Sequence, residues 1–238
     1  SKSDKAHLER DFHSEEGGEW LRDLILGGQD GLVNVLGLVL GVATATQDMR
    51  IIIISGFAAM FAEGISMGAV ADTSSKAALE FYAREKKREE FEITHIPNVE
   101  KEEVKKIYYA KGFRGKQLEF IVHKITSNRK RWLNVMMEEE LKLFKDGETP
   151  LRSGIIVGIA ALIGAIFPLI PFFLFPVQTA ILLSVPFSLI ILFIAGAVKG
   201  RFTKVVWWRS GLELALIGTG AAIAGYLIGS WLGAVPIV

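Results

Sequence analysis

The chain has no cysteine in its 238 residues. That excludes disulfides and thiolate metal sites together. An excess of charge of either sign is also missing: 27 Lys and Arg against 26 Asp and Glu leave a net +1, so nothing points to a nucleic-acid partner. Enzyme signatures are scarce. There is no HExxH, no phosphate-cradling glycine loop, and no paired His and Asp to serve a nucleophile as its base. The stretch 1–20 mixes acids and bases around no apolar core, so it does not read as a cleavable signal peptide and carries no address for a particular membrane.

Long apolar runs are what the chain does have. Half of the residues are hydrophobic, mean hydropathy is +0.36, and charge is confined to a few segments. A helix crosses roughly 30 Å of hydrocarbon with about 20 apolar residues. Five stretches meet that length, 24–46, 51–71, 154–175, 179–198 and 211–235. The predicted fold class is therefore all-α: a multi-pass membrane protein with five transmembrane helices and a helical domain inserted between the second and third. Lys and Arg gather in the insert and in the loop from Lys199 to Arg209, while the connections 47–50 and 176–178 carry one positive charge between them. The N-terminus, insert and basic loop are expected on the cytosolic side, and the C-terminus on the other.

Asp30, Glu63 and Glu213 fall within apolar helices, where a charge is expensive and marks a pathway by default. Blander readings stand beside this one. Asp30 suits a helix cap, and Glu213 suits an interfacial pair with Arg209.

The insert reads as helices. No proline occurs over 51–92, and the mixed charge of 80–92 extends the second span as a solvated helix that ends near Pro97. More helix is expected over 99–110 and 117–144, interrupted at Gly112 and Gly115, with Asp146 and Gly147 as the turn back. The expected organisation is a cytosolic or interfacial segment 1–23, spans within 24–74, a helical domain 75–150, and spans within 151–238. Within the domain, Glu89 and Glu92 are three apart, as are Glu100 and Glu103, while Met136 and Glu140 are four apart, so each pair shares a helix face. Carboxylates suit divalent cations, and a thioether adds softness that favours a transition ion over magnesium or calcium. The same glutamates also fit a solvated face, and Met136 and Met137 a core. His95, and His7 and His13 near the N-terminus, are weaker candidates.

The run EWLRDLILGGQDGLVNVLGLVLGV from Glu19, EGISMG from Glu63, the acidic insert, the Met136 and Met137 pair, PLIPF from Pro168 and KGRFT from Lys199 stand in an order that resembles the vacuolar iron transporter family. The resemblance covers nearly the whole chain. It implies a five-span homodimer that moves ferrous iron, often manganese as well, out of the cytosol in exchange for protons. It also implies a cytosolic metal-binding domain whose pattern falls here on Glu89, Glu92, Glu100, Glu103, Met136, Met137 and Glu140, with Glu85, Glu102, Glu138 and Glu139 as further acids. In the membrane it implies a transport site near Asp30 and Met67. Plant-type members carry a glutamate two turns before that methionine; this chain has Ala59 there and Glu63 one turn later, on about the same helix face.

Metal entering a carboxylate site expels protons and metal leaving readmits them, which is the coupling an antiporter requires. Fe2+, Mn2+, Co2+ and Zn2+ all accept such ligands, and no resident cofactor is implied. The other class to weigh is a membrane-anchored metal sensor or store that transports nothing. Glycines four apart (Gly37 and Gly41, Gly154 and Gly158, Gly196 and Gly200, Gly229 and Gly233) predict close helix packing without naming a partner. Pro168, Pro171 and Pro186 predict kinks in the third and fourth spans.

Overall fold

A computed structural model describes residues 14–144 and 149–234, with side chains from Trp20 onward. His7, His13, the Asp146 and Gly147 turn and the expected end of the last span at Val235 lie outside the described residues.

The described elements are helical throughout. They are α1 (Ser14–Thr46), α2 (Met49–His95), α3 (Pro97–Ala110), α4 (Gly115–Thr126), α5 (Arg129–Val135), a π-helical turn (Met136–Glu140), α6 (Pro150–Ile166), a 3-10 turn (Phe167–Leu169), α7 (Ile170–Leu174), α8 (Val177–Phe202) and α9 (Trp207–Ala234). Among the described residues, five helical segments are long and apolar enough to cross a membrane: Trp20–Thr46, Met49–His95, Pro150–Leu174, Val177–Phe202 and Trp207–Ala234. The chain is a multi-pass integral membrane protein.

Local chemistry explains the boundaries. α1 runs unbroken through Gly27 and Gly28, so Asp30 lies in mid-helix and is not a cap. Beyond α1, Gln47 turns left-handed at φ 54°, and Asp48 then caps α2 by accepting the backbone N–H groups of Arg50 at 2.8 Å and Ile51 at 3.3 Å. α2 continues for 47 residues and stops ahead of Pro97, because the residue before a proline is pushed out of the helical region; Ile96 sits at φ −129°, ψ 47°. Pro97 then opens α3, where its missing N–H costs nothing.

The chain divides into two compact units, one formed by Ser1–Thr73 with Thr149–Val238 and the other by Ser74–Glu148. In the first, α1 packs against α6, α8 and α9. Lipid is as apolar as leucine, so close van der Waals approach rather than water exclusion holds such helices together. The glycine stripes have their partners within the chain. A Cβ on Gly154 would lie 2.7 Å from the Gly68 carbonyl oxygen, and one on Gly158 2.9 Å from that of Gly64, so α6 backs directly onto α2. Gly37 and Gly41 meet Gly225 and Gly229 of α9, while Gly196 and Gly200 meet the stretch 207–211. Pro168 and Pro171 produce the 3-10 turn. Pro171 has no N–H for the Pro168 carbonyl, and the buried Ser184 hydroxyl of α8 donates to that oxygen instead, at 2.8 Å. Pro186 lies inside α8 without breaking it.

The second unit builds its own core from Ile93, Val104, Ile125, Trp132, Leu133, Met136 and Met137. Asn128 caps α5 by accepting the Arg131 N–H at 3.0 Å. Arg129 reaches from α5 to the Thr94 hydroxyl at 2.8 Å and the Glu90 carbonyl at 3.2 Å, which ties α5 to the end of α2.

Candidate metal centre

Three of the glutamates singled out in the insert converge. Glu89 from α2, Glu100 from α3 and Glu140 from the π turn each place one carboxylate oxygen within 4.8 Å of the other two. Glu89 is 1% exposed and Glu100 2%, and each has a buried Oε2 with no hydrogen-bond partner. A buried carboxylate oxygen left unpaired is costly. An oxygen-seeking cation at the centre of the three would satisfy both, so the donor set fits a divalent metal.

Met136, Met137 and Glu140 all lie in the π turn. Leu141 N–H bonds back to the Met136 carbonyl, five residues earlier, at 3.1 Å. Both methionines are buried in the core while Glu140 is exposed and faces the other two acids. Such turns recur at functional sites. Glu92 and Glu103 are half-buried and electrostatically coupled to the cluster.

Charge crowding shows in the acidities. Burial first, then Glu103, Glu89 and Glu92, pushes Glu100 up to about 7. Burial followed by Glu103, Glu89 and Glu92 pushes Glu140 up to about 7 as well, against the opposing pull of Arg88. Burial and then Glu92 raise Glu89 too. At neutral pH the cluster is only partly ionised.

Arg88, which sequence reasoning passed over, sits among these acids. Its guanidinium lies 2.7 Å from Glu85, 3.4 Å from Glu89 and 3.7 Å from Glu92. Glu85 is buried and also paired with Arg84 at 3.0 Å. Of the other extra acids, Glu139 pairs with Lys111, whose hydrogen bond holds it below the usual carboxylate range. Glu102 pairs with Lys105 at 3.3 Å, and Glu138 is exposed. His95 lies at the end of α2, its ring stacked on Phe91 and bonded to the Phe91 carbonyl at 2.8 Å.

In the membrane unit, Glu63 of α2 lies beside Asp30 of α1 and Asn34, one turn beyond Asp30. Two neighbouring carboxyl groups can share a proton or a cation. Met67 is half-buried one turn after Glu63. Ala59 packs against the apolar cluster around Met60 and Leu169. Glu213 stands apart from this pair. It is 62% exposed on α9 and pairs with Lys199 at 3.8 Å, whereas Arg209, its expected partner, lies over the Trp208 ring.

Two further polar groups were not foreseen. Asp23, 4% exposed, accepts a 2.6 Å hydrogen bond from Ser153 of α6; its sequence signal was an acid at the edge of the first apolar run. Asn34 was signalled only as an amide within that run. The segment Gly64 to Gly68, GISMG, has the G-x-S-x-G spacing of a hydrolase nucleophile elbow, but it lies inside α2 with no strand-to-helix turn to present the serine.

Five apolar spans together with a helical unit that converges three carboxylates define a membrane protein suited to handling metal. The chain belongs to the VIT family, whose model matches residues 21–230. Vacuolar iron transporter 1 of Arabidopsis thaliana is 36% identical over 223 residues, covering 92% of this chain and 89% of that protein. Vacuolar iron transporter 1 of Eucalyptus grandis is 36% identical over 211 residues, covering 88% and 85%. The vacuolar iron transporter of Plasmodium falciparum is 33% identical over 220 residues, covering 88% and 81%. These relatives are named as transporters, a class that is not enzymatic.

Proposed function

We propose that this chain is a metal transporter that carries Fe2+, and Mn2+ as a second cargo, out of the cytosol in exchange for protons, working as a homodimer. The convergence of Glu89, Glu100 and Glu140, with two buried carboxylate oxygens lacking partners, is the observation that carries the reading. In this account the 74–148 unit lies in the cytosol with the N-terminus and captures the ion through these three acids, Glu92, Glu103 and the thioethers of Met136 and Met137. The C-terminus is on the opposite side of the membrane.

Transport runs through Asp30, Glu63 and Met67. A proton held by this neighbouring carboxyl pair leaves when a divalent cation takes its place between Asp30 and Glu63, and returns when the cation departs. The Asn34 amide beside Glu63 favours its charged carboxylate. Glu213, exposed and paired with Lys199, contributes surface charge at the pathway's edge rather than a ligand.

The test is anaerobic Fe2+ flux into sealed proteoliposomes carrying an internal pH dye. Wild type is expected to take up metal and extrude protons together, and Asp30→Asn to do neither. Metal bound by the protein with no flux under any gradient would replace this reading with a membrane-anchored sensor or store.

A further inference from the structure

We propose that the α8–α9 turn holds one anionic glycerophospholipid, seated in a groove of about 710 Å³ whose wall includes Phe193, Ala197 and Gly200 and whose charged groups are Arg201 and Lys204 beside Trp207. The groove lies within the membrane unit and involves none of the metal-site residues.

Its chemistry is divided between an apolar wall and a cationic mouth. Phe193 and Trp207 meet edge to face at 6.3 Å, and Gly200 lets the start of α9 approach so closely that a Cβ would lie 2.9 Å from the Trp207 Cα. This packing leaves an apolar trough beside Ala197 and Val198, the surface an acyl chain covers. Above it the chain turns back: the Val205 N–H bonds to the Gly200 carbonyl at 2.9 Å, and Lys204 occupies the left-handed position at φ 56° that glycine usually fills. A lysine is thus held where the bend presents its side chain at the groove.

Charge complementarity names the occupant. The segment 199–209 carries Lys199, Arg201, Lys204 and Arg209 and no acid. Lys199 is engaged by Glu213, and Arg209 lies 5.3 Å over the Trp208 ring. Arg201 and Lys204 have no acidic partner among the described residues, and both line the groove. Two unpaired cations over an apolar trough, at a turn bearing Trp207 and Trp208, match a phosphodiester head with acyl chains beneath it.

Native mass spectrometry of the full chain, released from detergent after incubation with phosphatidylglycerol or phosphatidylcholine, tests this. One phosphatidylglycerol per chain is expected to remain bound, against little phosphatidylcholine. Arg201→Gln with Lys204→Gln should weaken phosphatidylglycerol binding about thirtyfold, since the two cations contribute comparably and their effects multiply. Ala197→Trp, which fills the trough and leaves both cations, should lower it as well. Millimolar inorganic phosphate should not displace the lipid. Equal retention of the two lipids, unchanged occupancy in the double variant, or loss to inorganic phosphate with Ala197→Trp silent would each overturn the proposal. Unchanged melting temperatures would show that the variants remain folded.

Discussion

The two acidic sites differ in composition, and the difference matches two tasks. The 74–148 unit gathers Glu89, Glu100 and Glu140 with Glu92 and Glu103 around them, adds two buried methionines, and partly offsets the charge with Arg88. The membrane site proposed for exchange sets Asp30 beside Glu63, with Asn34 next to them. A crowded, largely buried cluster with unpaired carboxylate oxygens is suited to hold a cation strongly. A two-carboxylate site binds more weakly, but metal and proton exclude one another there, which is what release and coupling need. In the proposed mechanism, capture and exchange are thereby separate steps.

The largest expected effect breaks this comparison at the membrane pair. Asp30→Asn or Glu63→Gln should reduce metal flux on the order of a hundredfold or more, at least the loss that follows removal of a partner that only orients a metal ligand, while equilibrium binding of Mn2+ to the 74–148 unit of the same protein stays unchanged. Weakened binding by Asp30→Asn would mean the sites are not separate. Next in size, Glu100→Gln should weaken that equilibrium binding roughly tenfold or more, with the maximal flux little altered.

Acidity gives the third. A carboxylate whose folded pKa is raised binds more protons folded than unfolded, so the folded state loses stability as pH rises from the unfolded value near 4.5 towards about 7. For the buried Glu100 alone the loss is on the order of 3 kcal/mol. Without metal, the melting temperature of the 74–148 unit within the full chain should therefore fall between pH 5 and pH 8. Mn2+ should restore it at pH 8 and do little at pH 5, where protons hold the sites. A metal-induced shift independent of pH would count against the carboxylates as ligands.

The smallest effect concerns Arg88, which is half exposed, so its ion pairs are worth about 0.5 kcal/mol each at most. Arg88→Gln should destabilise the metal-free protein slightly at pH 8 and, by removing a competitor for Glu89 and Glu92, tighten Mn2+ binding a few-fold, about what that energy allows. Titration calorimetry at pH 8 reads both the sign and the size.

Much of this was legible in the sequence because it depends on local periodicity. The apolar runs marked the five spans, the absence of proline over 51–92 marked the continuous α2, and three- and four-residue spacing put Glu89 with Glu92 and Glu100 with Glu103 on common faces. Contacts between distant parts of the chain were not legible. Nothing local signals that Ser153 bonds to Asp23, that Gly154 and Gly158 back onto Gly68 and Gly64, or that Lys199 rather than Arg209 takes Glu213. The π turn over MMEEE has no residue signature distinguishing it from α-helix, yet it brings Glu140 to the cluster while burying both methionines. Arg88 read as one more charge on a solvated helix: its partners Glu85, Glu89 and Glu92 all lie on α2, and what local spacing could not show was that Glu85 and Glu89 are buried. The start of α1 at Ser14 was missed because charges and the Gly17, Gly18 pair mask helix that continues into an apolar span.

The separation of capture from exchange is tested most directly by the metal dependence of initial flux in proteoliposomes, measured anaerobically with Fe2+ for wild type, for Glu89→Gln with Glu100→Gln, and for Asp30→Asn. The account expects the double glutamine variant to raise the half-saturating metal concentration while keeping the maximal rate, and Asp30→Asn to abolish the maximal rate. A double variant that loses its maximal rate with unchanged half-saturation, or an Asp30→Asn protein that transports at full rate, would contradict it.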